Sequence, residues 1–335
     1  MGNIDIETLE AIMNVTVYVF VFLFGITIGS FLNVCILRLP KGESLVTNNS
    51  HCMTCGTEIK RYDLIPVFSW LILGGKCRAC GAKISPRYML VEALTGFLFL
   101  GIFIRYDFMN YGLYPVMLCL FTAGLVVLCF QDMDNQEMCV SVLVYTGIIA
   151  VISHVMSFIT DGYTPILVFP ETNLRDGIYG MLSVSLVLLV VGFVITPLFY
   201  SCFISEEHKA LRGIKANLKN TSESDRNYKK LIAEKEALEA KIKEDGPVYG
   251  FGMGDVVLMA AGGLMLGLKA TVTAGVIAIV LGAVYGVIAK YARRSDDENS
   301  SVFAFGPFLI IGLVAASYFN GMLADMYLNT LFIPR

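Results

Sequence analysis

Charge is scarce in this chain. Asp, Glu, Lys and Arg make up 16% of its 335 residues, where soluble domains carry about 25%. That shortage excludes an ordinary water-soluble enzyme. The 25 basic residues do not exceed the 28 acidic ones, so no basic surface for nucleic acid is built in and no nucleic-acid partner is expected. Nine cysteines are too few for a disulfide scaffold in a chain of this length. The pattern Gly-x-Gly-x-x-Gly does not occur, and no nucleotide loop is implied. No internal repeat or low-complexity tract is evident. What fills the space is hydrophobic, 56% of all residues, which excludes a disordered chain as well.

A bilayer core about 30 Å thick needs about 20 apolar residues in a helix. Eight candidate spans run roughly over Val15–Leu37, Met89–Ile104, Leu113–Phe130, Val140–Thr160, Ile178–Ile204, Val248–Leu268, Ala270–Ala289 and Val302–Leu323. The second is short, and the sixth is short unless it includes Asp255. The chain therefore reads as an all-α polytopic membrane protein with about eight transmembrane helices, its first partner the lipid bilayer.

Charge placement orients it. The first fourteen residues hold Asp5, Glu7 and Glu10 and no basic residue, and the basic residues follow the first span. With the N-terminus outside, 21 of the 25 Lys and Arg fall in the inner segments 38–88, 131–139, 205–247 and 290–301. Only Arg105, Arg175, Lys269 and Arg335 remain outside, as the positive-inside rule requires.

The first inner loop carries two Cys-x-x-Cys pairs, Cys52/Cys55 and Cys77/Cys80, each followed by Gly, with 21 residues between Cys55 and Cys77. Each pair can aim two thiolates at one metal, and four thiolates suit a closed, structural zinc site. A loop of this size is too small to hold itself with a hydrophobic core. The expectation is a small cytoplasmic zinc-ribbon-like domain. Four unligated thiols in a reducing loop are the alternative.

Carboxylates at membrane depth are costly and mark function by default. Asp132 ends the third span, in Gln131-Asp132-Met133-Asp134. Asp134 lies roughly 200° further around a helix, so both cannot face one partner. On spacing alone, polar turn residues joining two spans account for them better. Asp255 follows Gly250, Gly252 and Gly254, which let the backbone leave a helix. A sixth span starting near Val248 would place Asp255 about 10 Å along it. Both aspartates fall toward the inner ends of their spans, where two carboxyls can hold and activate a water.

The ordered set of motifs resembles the prepilin peptidases, polytopic membrane aspartyl proteases. It includes Gly29-Ser30-Phe31-Leu32-Asn33-Val34, Arg38-Leu39-Pro40, the four-cysteine loop with Ile65-Pro66-Val67-Phe68-Ser69-Trp70, Ile84-Ser85-Pro86-Arg87-Tyr88, Gly252–Asp255 as Gly-x-Gly-Asp, and Phe305-Gly306-Pro307-Phe308. The resemblance covers nearly the whole chain. Met138-Cys139-Val140 stands where the family usually has Leu-Pro-Asp or Ile-Pro-Asp, and Val257 where Lys is frequent.

The resemblance implies catalytic Asp132 and Asp255, with Asp134, Gly252 and Gly254 supporting them. It implies removal of prepilin or pseudopilin leaders after a Gly, at the inner face of a bacterial cytoplasmic membrane. Many family members then N-methylate the new N-terminus with S-adenosylmethionine, and Gly42-Glu43 resembles a segment linked with that step. A transporter using Asp132 and Asp255 as an ion or proton relay is the competing class; it needs no cysteine loop.

The expected layout is an external N-terminus and first span over 1–37, the zinc loop over 38–88, spans two to five over 89–204, an insertion over 205–247 and spans six to eight over 248–335. The insertion holds ten basic and nine acidic residues. Leu211, Ile214 and Leu218 share one stripe at helical spacing, and Leu231, Leu238 and Ile242 another. A charged helical hairpin is expected there, either a solvated extension or a docking arm for a partner or second copy.

Overall fold

The computed structural model describes residues 6–46, 50–106, 111–160, 174–200, 205–220, 226–245, 251–292 and 304–319. Cys202, Gly250, Thr221-Ser222 and the basic-acidic run Arg293–Glu298 lie outside the described residues. Among those described, the fold is helical, with two isolated β-bridges, both in the cysteine loop.

The helices are α1 (Ile6–Arg38), α2 (Phe68–Ile72), α3 (Pro86–Arg105), α4 (Tyr114–Asn135), α5 (Val140–Thr160), α6 (Leu174–Val190), α7 (Thr196–Phe199), α8 (Glu206–Asn220), α9 (Arg226–Asp245), α10 (Met253–Leu266), α11 (Leu268–Ala292) and α12 (Gly306–Phe319). Among the described residues, five stretches are long and apolar enough to cross a bilayer: Glu10–Lys41, Pro86–Arg105, Tyr114–Asn135, Leu174–Phe199 and Leu268–Ala289. Val140–Met156, Met253–Leu266 and Gly306–Phe319 are shorter apolar helices. The protein is a multi-pass membrane protein. The second span is longer than its apolar run, because Ser85 accepts the Arg87 N–H and Pro86 starts the helix where a missing N–H costs nothing.

The chain divides into two compact units, 1–184 with 257–335, and 185–256. In the first, α4 forms the centre. Leu118, Phe121, Leu125 and Leu128 are fully buried on it, as are Leu309 and Leu313 on α12. Helices α1 and α3 approach backbone to backbone: a Cβ on Gly29 would lie 2.7 Å from Glu92 Cα. Helix α3 is tied to α12 where Tyr106 donates to Ser317 O at 2.6 Å, and Arg105 Nε to Tyr318 O at 3.0 Å. The ring of His154 bonds to Leu264 O on α10 at 2.5 Å, which spends this histidine on helix packing. Large apolar side chains such as Phe20, Phe24 and Ile279 face outward, as a lipid surface requires.

In the second unit, α6 passes through a π-helical turn at Val191–Ile195 before α7. Pro197 lacks the N–H that would bond one turn back, and Thr196 Oγ1 donates to Val191 O at 2.8 Å instead. Helices α8 and α9 form the charged hairpin. Lys215 on α8 pairs with Glu239 on α9 at 3.0 Å, and Ile214 is buried. The Ile242 side chain lies outside what is described. Helix α10 begins at Met253, not near Val248. Asp255 is therefore the third residue of its helix, about 3 Å along it and not 10.

Candidate active site and cysteine loop

The two Cys-x-x-Cys segments fold as matched knuckles. Gly56 N–H donates to Cys52 O at 2.8 Å and Cys52 N–H to Thr57 O at 2.9 Å. In the second, Gly81 N–H donates to Cys77 O at 2.9 Å and Cys77 N–H to Ala82 O at 2.8 Å. Gly56 and Gly81 adopt φ of 70° and 71°, a left-handed turn that glycine enters freely. The antiparallel bridges His51–Glu58 and Lys76–Lys83 close each knuckle.

The four Sγ atoms of Cys52, Cys55, Cys77 and Cys80 lie within 4.8 Å of one another, and Cys52 and Cys80 are 3.8 Å apart. Zinc–sulfur bonds of about 2.3 Å set tetrahedral edges of about 3.8 Å, so this donor set fits zinc. The backbone at Cys55, and then at Thr54, draws the Cys52 thiol down to about 6. The Thr57 side chain, then its backbone, lowers the Cys55 thiol. Thiolates are the ligand form. His51 is exposed and stands outside the four-thiol set.

The segment between the knuckles is stitched to the second one and to α3. Asp63 holds Arg78 through two bonds, 2.6 and 2.8 Å, and Arg78 keeps its carboxyl below the usual range. The Trp70 indole N–H donates to Ile84 O at 3.2 Å. Pro66, Val67 and Phe68 form a three-residue turn, with Phe68 N–H on Pro66 O at 2.6 Å. Val67 sits at φ 62°, ψ −54°, a strained position for a β-branched residue. Its N–H donates to Glu92 Oε2 on α3 at 2.7 Å. Glu92 thus faces the cysteine loop. Gly42 and Glu43 form the turn that leaves α1: Gly42 has φ 66°, and Glu43 N–H donates to Arg38 O at 3.0 Å. The Glu43 side chain is exposed.

Asp132 and Asp134 share the end of α4 but not an environment. Asp132 is 6% exposed. Its Oδ2 is buried without a hydrogen-bond partner among the described residues. Asp134 is clasped by Arg87 through two bonds, 2.8 and 2.6 Å, and the same guanidinium lies over the Phe130 ring. Fully buried Gln131 fixes the helix end. Its amide reaches Cys35 O on α1 at 3.5 Å, and its carbonyl accepts the Cys139 N–H at 3.3 Å. Gln136 stops the helix in a left-handed conformation, its N–H on Asp132 O at 2.9 Å.

Asp255 is 8% exposed and belongs to the other unit. Asp255 Oδ2 accepts the Gly252 N–H at 3.2 Å, and Asp255 N–H donates to Gly252 O at 3.2 Å. That reciprocal pair caps α10 and uses the side chain to terminate the glycine run. Gly254 lies inside the first turn of the same helix.

The family model for the bacterial peptidase A24 N-terminal domain matches residues 23–106. A prepilin leader peptidase/N-methyltransferase of Myxococcus xanthus is 44% identical over 117 residues, 35% of this chain; that match spans 34% of the relative's own length. A type 4 prepilin-like proteins leader peptide-processing enzyme of Escherichia coli is 30% identical over 319 residues, 89% of this chain and 92% of the relative. This chain belongs to the type IV prepilin peptidase family. A prepilin leader peptidase/N-methyltransferase of Aeromonas salmonicida, 26% identical, aligns over 93% of this chain and 94% of its own. No solved structure matches the chain.

In this chain the sequence alone leaves several residues without a role: Arg87 opposite Asp134, Val67 on Glu92, Asp63 on Arg78, and Gly306, which packs against Asp132. Arg87 and Gly306 both lay inside recognised runs. Neither run says what its residue touches.

Proposed function

We propose that the protein is a membrane aspartyl endopeptidase that removes the leader of type IV prepilins or pseudopilins, cutting after a Gly at the cytoplasmic membrane face, with the N-terminus outside. Asp132 and Asp255 carry the reaction. Hydrolysis needs one carboxylate to take a proton from water and one carboxylic acid to donate to the scissile carbonyl. Water oxygen bonds to the carbonyl carbon, the C–N bond breaks, and the leaving amine takes up the proton. The observation that carries this reading is the contrast at the end of α4: Asp134 is held by Arg87, while Asp132 is buried with an unpartnered Oδ2.

Cys52, Cys55, Cys77 and Cys80 would hold zinc, which supplies a structural closure for the loop and no open coordination position. The loop then serves the second step, transfer of a methyl group from S-adenosylmethionine to the new N-terminus, with Gly42 and Glu43 as its assigned contacts. The names of the relatives, which pair leader peptidase with N-methyltransferase, support that step.

The test uses purified full-length protein in detergent, a prepilin and labelled S-adenosylmethionine. Wild type shortens the prepilin on a gel and labels it. Asp132→Asn and Asp255→Asn each abolish shortening. A cut that persists in either variant overturns the aspartyl assignment, and shortening without label overturns the methyl-transfer step.

A further inference from the structure

Gly306 opens the last helix, and the absence of its side chain is what makes room for Asp132. A Cβ built there would lie 2.5 Å from Asp132 Oδ2 and 3.1 Å from its Cγ. It would also strike the Met138 Cε. Gly306 is not among the positive-φ glycines. Its backbone is one any residue adopts, so the requirement is for space and not for conformation.

The start of α12 is arranged around this contact. Pro307 has no N–H. The amides of Phe308 and Leu309 donate to Phe305 O at 3.1 and 3.4 Å. Gly306, the first residue of this helix, packs directly against the Asp132 carboxyl. Helix N-termini carry unpaired N–H groups and a dipole that favours a negative group. The fourteen-residue α12 thus presents that end to a carboxyl that is 94% buried and has one oxygen unpartnered.

We infer that Gly306 is a positioning residue for Asp132: it lets the carboxyl rest against the N-terminal end of α12 in one place. This rests on Asp132 being catalytic. A Cβ at 306 displaces the carboxyl, so the inference places the loss in the chemical step and not in substrate affinity.

Leader-removal kinetics on a prepilin separate the possibilities. In Gly306→Ala, kcat should fall on the order of 10²-fold, the cost of a reacting group misplaced by about 1 Å, with KM within about threefold of wild type. Met138→Ala in the same background removes the thioether contact but not the Cβ against Oδ2, so kcat should stay low. Recovery to the wild-type kcat would overturn the inference. If Gly306→Ala is unstable, Asp132→Ala added to the Gly306→Ala, Met138→Ala background should restore its thermal midpoint; a loss that persists with both contacts removed also overturns the inference. Asp132→Asn that still cuts sinks the underlying reading. An inactive Asp132→Asn beside a Gly306→Ala with unaltered kcat sinks only the role of Gly306.

Discussion

Arg87 at the start of α3 grips Asp134 at the end of α4 with two parallel hydrogen bonds, 2.6 and 2.8 Å long. A forked guanidinium–carboxylate pair fixes geometry as well as charge. It engages both Asp134 carboxyl oxygens and ties down the helix end on which Asp132 stands. Gln131 secures the same end from the opposite side of the sequence, toward α1.

The two neighbouring aspartates should therefore respond differently to the same substitution. Asp134→Asn loses a pair that is about a third exposed on each side, worth about 1 kcal/mol. Its thermal midpoint should drop by a few degrees, on the order of 2–4 °C, and prepilin cutting should stay within about tenfold of wild type, well short of the loss a general acid or base contributes. Asp132→Asn should cut no prepilin, with little change in midpoint. Initial rates and thermal melts on the two variants check this. The opposite ranking would exchange their roles.

How much of this was legible in the sequence depends on the range of the interaction. The cysteine loop was readable because ligand spacing and the following Gly are local. Gly56 and Gly81 adopt the turn their positions implied. The aspartates were found as charges in apolar surroundings. What separates Asp132 from Asp134 comes from Arg87, 47 residues away from Asp134, and from Gly306 on the last helix. No periodicity reports those contacts. The start of α10 was misplaced for a local reason: an alternating glycine run does not say at which glycine the helix begins, and the Gly252–Asp255 cap decides it.

The cysteine site should hold one zinc per chain. With the knuckle backbones closed by their own hydrogen bonds and, among the loop's described residues, Ser69 and Gly75 alone buried, the loop depends on the metal for its fold. A strong chelator should release zinc stoichiometrically and open the loop to protease within residues 38–88. The helical circular dichroism of the membrane spans should stay nearly constant. Metal analysis and mapping of the cut sites check this. Loss of helical signal together with zinc would show that the metal holds more than the loop.

The Val67–Glu92 contact makes a prediction of opposite signs. Val67 is held at positive φ, a cost of about 1–3 kcal/mol for such a residue. Val67→Gly removes that cost and keeps the N–H that Glu92 accepts, so the thermal midpoint should rise or hold. Glu92→Ala leaves the Val67 N–H unpartnered, about 1–3 kcal/mol of destabilisation. The Val67 amide should then exchange faster in hydrogen–deuterium experiments. A fall in midpoint for Val67→Gly would mean that the valine side chain contributes more by packing than its backbone costs.

Asp255 carries a structural duty beside its proposed chemical one, and two substitutions separate them. Its Oδ2 accepts the Gly252 N–H at the start of α10. Asn retains a side-chain oxygen for that bond, whereas Ala does not. Loss of a cap of this kind costs about 1 kcal/mol. Asp255→Asn should melt with the wild type and cut nothing; Asp255→Ala should melt a few degrees lower, on the order of 2–4 °C, and also cut nothing. Melting curves and a prepilin gel on both variants suffice. Equal midpoints for Asn and Ala would remove the cap from the account of why a carboxyl stands at this position, and an Asn variant that still cuts would remove the chemistry.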